Sequence, residues 1–133
     1  MVVNISSDSE KYYMQVLHIV KNFPPFNKLR DKELEVLSWL SYYYNEFKYK
    51  FGEEDLDLVN KNVFDYETRM DVTRKIKDNK GKDLTYQNLA NLMAGLKSKG
   101  FIHINEDGKK TLNPKYIFDP RRINELTYKF HFE

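Results

Sequence analysis

The order of apolar and polar positions divides the chain into helical stretches followed by one hairpin. Tyr13, Val16, Leu17 and Val20 recur at the three- and four-residue spacing of a helix face, with Ser7 and Glu10 ahead of them at capping-box spacing. Pro24-Pro25 end that helix, since proline disfavours helical backbone before it and cannot donate to the ladder. A second helix is predicted after Asp31, with Glu33 and Glu35 in a first turn where carboxylates favour the positive end of the helix dipole. Leu34, Leu37, Leu40, Tyr44 and Phe47 form its buried stripe. Trp39 and Tyr43 fall off that stripe, which predicts a helix covered on two sides. Gly52-Glu53-Glu54-Asp55-Leu56-Asp57 reads as an acidic surface connection, and Val63-Phe64 as a very short strand before Asp65 caps a third helix. That helix is expected to run to about Lys77 and to bury Tyr66, Met70 and Ile76.

Residues 77–82 make a polar turn, and a fourth helix follows from about Thr85 to Lys99. It has the clearest pattern in the chain: Leu89, Leu92, Met93 and Leu96 occupy one face, Lys97 and Lys99 close the last turn, and Gly100 stands where a left-handed cap belongs. Phe101-Ile102-His103-Ile104 then reads as a strand, Asn105-Glu106-Asp107-Gly108 as its turn, and Lys110-Thr111-Leu112 as the antiparallel return closed by Tyr116-Ile117-Phe118. Near the C-terminus Leu126, Tyr128, Phe130 and Phe132 alternate with Thr127, Lys129, His131 and Glu133. Strict alternation predicts a half-buried strand, expected to join the domain's own sheet or a neighbouring subunit.

Helix, polar turn, helix, glycine and hairpin occur in the order of a winged helix. The segments Asp65-Tyr66-Glu67-Thr68-Arg69, Leu84 to Leu92, and Leu96-Lys97-Ser98-Lys99-Gly100-Phe101-Ile102 resemble the helix-turn-helix and wing of prokaryotic winged-helix proteins. The implied fold is mainly α with a small antiparallel sheet. It comprises an N-terminal helical arm (1–30), a winged helix-turn-helix domain (31–118) and a C-terminal strand (119–133). The whole chain also resembles small proteins of crAss-like tailed phages of Bacteroidota. Arg30-Asp31-Lys32-Glu33-Leu34-Glu35-Val36-Leu37, Phe64-Asp65-Tyr66-Glu67-Thr68-Arg69 and the alternating C-terminus carry that likeness.

Composition narrows the classes of function. The 133 residues include ten Tyr and nine Phe against five Gly and four Pro, the profile of an ordered chain with a real core. There is no cysteine, so disulfides and thiolate metal sites are excluded. No apolar run is long enough for a membrane span, and the N-terminus lacks the pattern of a secretion signal, so a soluble, intracellular protein is expected. The phage resemblance implies the host cytoplasm or a virion. Net charge is +2, distributed as −4 over residues 1–68, +7 over 69–122 and −1 over 123–133. The basic segment contains the helix-turn-helix.

Catalytic chemistry does not assemble. His18, His103 and His131 lie in no metal-ligand spacing, and the 53–57 acidic run lacks the ordered glycine and terminal glutamate of a calcium loop. Lys80-Gly81-Lys82-Asp83 lacks phosphate-loop spacing. Tyr42-Tyr43-Tyr44 face different directions on a helix, which favours core packing and partner contact over base stacking. No enzyme activity, cofactor or small-molecule substrate is therefore expected.

Two functions fit. One is a non-enzymatic structural subunit of a phage virion, of connector or ring type, using the winged helix for protein–protein contacts. The aromatic load and the strand of Leu126, Tyr128, Phe130 and Phe132 would bind neighbouring subunits. The alternative is a DNA-binding regulator or genome-handling factor. Thr85, Tyr86, Gln87, Asn88 and Asn91 would then face the major groove, where Gln and Asn can pair with adenine. Arg74, Lys75, Lys77, Lys80, Lys82, Lys109 and Lys110 would meet phosphates. Capping and solvation account for the same polar positions without DNA.

Overall fold

The computed structural model describes residues 9–117, and side chains from Lys11 onward. The described residues form five α-helices and one two-stranded antiparallel sheet. Helix α1 (Ser9–Val20) buries Tyr13, Val16, Leu17 and Val20 as expected, together with Tyr12. After it the chain turns through a cis Pro24-Pro25 bond into a single 3-10 turn, Phe26–Lys28. Ser7 of the expected capping box lies outside the described residues, as does the C-terminal segment carrying Leu126, Tyr128, Phe130 and Phe132.

Helix α2 (Asp31–Phe51) is the axis of the fold. It packs against α1, against α3 (Leu56–Val63), against α4 (Tyr66–Lys75) and against α5 (Tyr86–Ser98), so it is covered on more than one side. Leu34, Leu37, Leu40 and Tyr44 are buried, as are Val36, Ser38, Ser41 and Asn45. Phe47, Trp39, Tyr42 and Tyr43 are half-buried. Asn45 ties α1 to α2 by donating to the Tyr13 hydroxyl at 2.7 Å.

Several expectations are corrected. Val63-Phe64 is not a strand. Asp55 caps Leu58 N–H at 3.2 Å and starts α3, which ends on Val63. The surface connection is correspondingly shorter, because Leu56 and Asp57 already belong to the helix. Tyr66 is not buried: it is the first residue of α4 and is 58% exposed. The inward face of α4 is filled instead by Thr68, Val72 and Thr73, with Met70 only partly covered; the helix stops at Lys75, two residues early, and Ile76 is buried just beyond it. Glu33 does more than meet a helix dipole: its side chain is fully buried at the contact between α2 and α5.

Helix α5 follows its pattern closely. Thr85 caps it, accepting from Asn88 N–H at 3.0 Å, and Leu89, Leu92, Met93 and Leu96 are all buried. Fully burying such side chains stabilises by about 1.5–3 kcal/mol each. Gly100, at φ 88°, then reverses the chain into β1 (Ile102–Ile104), which pairs with β2 (Lys110–Leu112) in the register Ile102 to Leu112. The turn between them has Gly108 at φ 78°, backbone that a β-carbon disfavours. A two-stranded hairpin is marginal alone, so its attachment matters. Ile102 and Leu112 are buried, Leu112 N–H donates to Asn60 Oδ1 of α3 at 2.9 Å, and Phe101 lies in an aromatic cluster with Phe26 and Tyr116.

Candidate functional site

Between the outward side of α5 and the hairpin lies a cavity of about 220 Å³. Its floor is apolar (Leu89, Met93 and Ile102), and its rim carries Arg69, Lys97 and Lys110 with no carboxylate. A second, shallower cavity of about 460 Å³ lies between α3 and the hairpin; it shares Arg69 and Lys110 and adds Lys61 and Lys109 against a single Asp57. Five cations and one carboxylate therefore line the two.

Helix α5 contains no acidic residue. The side opposite its buried stripe exposes Gln87, Ala90, Asn91 and Ala94, flanked by Tyr86 and Lys97. Two of these are only methyl groups, so the helix presents a low surface bordered by amides. Gln87 Nε2 donates to Asn91 Oδ1 at 3.0 Å, one turn along, which orders both side chains while leaving them exposed. Thr85 and Asn88 are exposed at the helix start, although the Thr85 hydroxyl already serves as the cap.

Of the expected phosphate-binding cations, Lys110 stands beside α5 on the rim of the first cavity, and Lys109 lines the second, between α3 and the hairpin. Arg74, Lys75, Lys77, Lys80 and Lys82 line neither of them. Arg74 pairs with Asp71 at 2.9 Å, Lys75 lies 4.6 Å from the centre of the Trp39 ring on α2, and Lys77 pairs with Asp83. Lys80 and Lys82 are exposed in a turn organised by Asp78, whose carboxylate accepts from both of their backbone N–H groups. Those bonds, the Lys82 one foremost, hold the Asp78 carboxyl below its usual range.

Arg69, Lys61 and Lys97 were not among the expected site residues. Lys97 sits three helical turns beyond Tyr86 and so returns to the same side of α5. Arg69 crosses from α4 to place its guanidinium 5.3 Å from the centre of the Tyr86 ring, and its Nε is buried with no hydrogen-bond partner. Nothing in the spacing of Arg69 alone marks it, because the contact joins two helices.

His18 and His103 are exposed, and no group of three or more His, Asp or Glu among the described residues is placed to hold a metal ion. No described helix is long and apolar enough to cross a membrane. Compared with protein families, curated proteins and solved structures, the chain matches none. Any reading of function therefore rests on this geometry.

Proposed function

We propose that residues 31–117 form a winged helix-turn-helix module that binds duplex DNA, with α5 entering the major groove and the β1–β2 hairpin as a wing. The observation that carries this reading is the outward side of α5: exposed amides and small side chains, no carboxylate, and Arg69, Lys97 and Lys110 gathered at the cavity beside it. Amides offer the paired donor and acceptor that adenine presents in the major groove, while Arg and Lys supply sequence-independent attraction to phosphate. Ala90 and Ala94 allow close approach. In this reading Gln87, Asn88 and Asn91 read bases, and Arg69, Lys97, Lys109 and Lys110 meet the backbone. Binding to duplexes enriched from a random pool tests it. Gln87→Ala combined with Asn88→Ala should reduce the preference for enriched over random duplexes by roughly thirtyfold or more, at about 1–3 kcal/mol for each of the two base contacts. An unchanged preference overturns the assignment of α5 as the reading helix.

A second reading, a non-enzymatic assembly subunit of a phage virion, is favoured by one observation. Trp39, Tyr43, Phe47 and Phe51 recur every four residues along α2 as a half-buried aromatic ladder, with neighbouring ring centres 6.0–6.4 Å apart. Aromatic side chains of this kind are common anchors at protein interfaces. Leu126, Tyr128, Phe130 and Phe132 would add a strand for a neighbouring subunit. Sedimentation across a concentration series tests this reading; a monomer throughout, with and without residues 126–133, counts against it.

A further inference from the structure

Two tyrosines occupy equivalent places at the starts of adjoining helices. Tyr66 is the first residue of α4 and Tyr86 the first of α5; they are 58% and 42% exposed, with ring centres 6.1 Å apart and planes inclined by 37°. Contiguous exposed aromatic surface is a common mark of an interaction site. Their surroundings indicate what would bind there. Arg69, one turn after Tyr66, lies over the Tyr86 ring at 5.3 Å, and its Nε is buried and unpartnered. The guanidinium is thus fixed against an aromatic face while its charge remains available to an anion. Lys97 and Lys110 stand on the rim of the same cavity, and no carboxylate joins them.

Flat apolar rings beside fixed cations suit a planar ring attached to a phosphate. A base pair within a duplex offers only its edges to such a surface, whereas an unpaired base offers its whole face. We infer that Tyr66 and Tyr86, backed by Arg69, form a stacking platform for an unpaired nucleobase, so that the protein favours DNA in which single strand adjoins duplex. The inference rests on the nucleic-acid reading of α5 and specifies which form of nucleic acid completes the site. In this arrangement the duplex lies along α5, and the first unpaired base leaves the helical stack onto Tyr66. The adjoining phosphate meets Arg69, Lys97 and Lys110.

The test compares one duplex in three forms: blunt, extended by a short single-stranded tail, and extended by the same tail built from abasic nucleotides. Wild-type protein should bind the tailed duplex roughly five- to hundredfold more tightly than the blunt one, the range expected for stacking one base. The abasic tail should lose that preference. Tyr66→Ala should bring the tailed-to-blunt ratio close to one, and Tyr66→Phe, which keeps the ring, should retain it. Thermal denaturation of Tyr66→Ala should match wild type, because the ring is largely in solvent. A wild-type ratio near one, an undiminished ratio with the abasic tail, or a ratio that survives Tyr66→Ala overturns the platform. Blunt-duplex binding without a tail preference removes the platform and leaves the duplex reading standing. Absence of binding to all three forms removes both.

Discussion

Gly95→Ala tests the packing that fixes α5 against α2. On helix propensity alone, alanine in place of glycine inside a helix stabilises by about 1 kcal/mol. The structure predicts the opposite sign. A β-carbon at Gly95 would stand 2.0 Å from Glu33 Oε2 and 3.2 Å from Glu33 Cδ. A side-chain terminus can usually move aside, but this carboxylate is fully buried and doubly held. Its Oε1 accepts from Arg30 N–H at 2.8 Å and from Lys99 Nζ at 2.6 Å. Swinging the group away sacrifices at least one hydrogen bond to a charged partner and weakens the other, a loss of about 2–4 kcal/mol. Subtracting the propensity gain leaves a net destabilisation of roughly 1–3 kcal/mol. For a domain of this size each kcal/mol moves the melting temperature by about 3–5 °C, so thermal and urea denaturation resolve the effect. The same substitution in a Glu33→Ala background meets no carboxylate, and should there become stabilising. Gly95→Ala more stable than wild type would refute the account of this contact, as would an equal effect in both backgrounds.

Three further outcomes are expected. Thr85→Ala removes the cap on Asn88 N–H and should lower stability by about 1 kcal/mol, visible as a shift in urea midpoint at constant slope. Asn60→Ala leaves the buried Leu112 N–H without its acceptor and should cost about 1–3 kcal/mol, with amide exchange at Leu112 accelerated more than in α1. Although burial pushes the Glu33 carboxyl up, the Arg30 N–H, Lys99 and the Arg30 guanidinium together hold it below its ordinary 4.5. A folded-state pKa below the unfolded value gives stability that is present above about pH 4.5 and lost as pH falls through the folded value. The melting-temperature gap between wild type and Glu33→Gln should therefore narrow on acidification below that point; a constant gap contradicts it.

The parts of the fold that were legible in the sequence are those whose pattern is local. Helix α5 has four apolar residues on one face, a threonine cap and a glycine reversal, and each signal agrees with the others. The hairpin follows from Asp107-Gly108 between apolar runs. Helix α3 is not legible in the sequence because Asn60 occupies a place on its inward face, which breaks the apolar stripe of Val59 and Val63. That asparagine is buried because both ends of its amide are used, by Leu56 O and Leu112 N. Glu33 does lie in the first turn of α2, but its burial is not legible, because a carboxylate there reads the same whether exposed or buried. The glycine within α5 was the available sign that another element approaches there closely.

The candidate site divides along the same line. Tyr86, Gln87, Asn88 and Asn91 lie on one helix, and their exposure follows from its periodicity. Nearness in sequence does not place the cations: Arg74, Lys75 and Lys77 each have a partner on or beside their own helix. Arg69 and Lys61 join the site only through packing between helices and hairpin. Tyr66 was assigned inward on aromatic character, yet the first residue of a helix can lie beyond the edge of the core.

Affinity for blunt duplex DNA measured across a salt series tests the central claim most directly. If α5 and the hairpin meet the duplex with the cations gathered there, binding should be clear at low salt and the logarithm of the association constant should fall linearly with that of salt concentration. Each neutralised phosphate contributes about −0.9 to the slope, so contacts from Arg69, Lys97, Lys109 and Lys110 predict a value of roughly −3 to −4, made shallower by Lys109→Ala with Lys110→Ala. No binding at low salt, or a slope that those substitutions leave untouched, would contradict it.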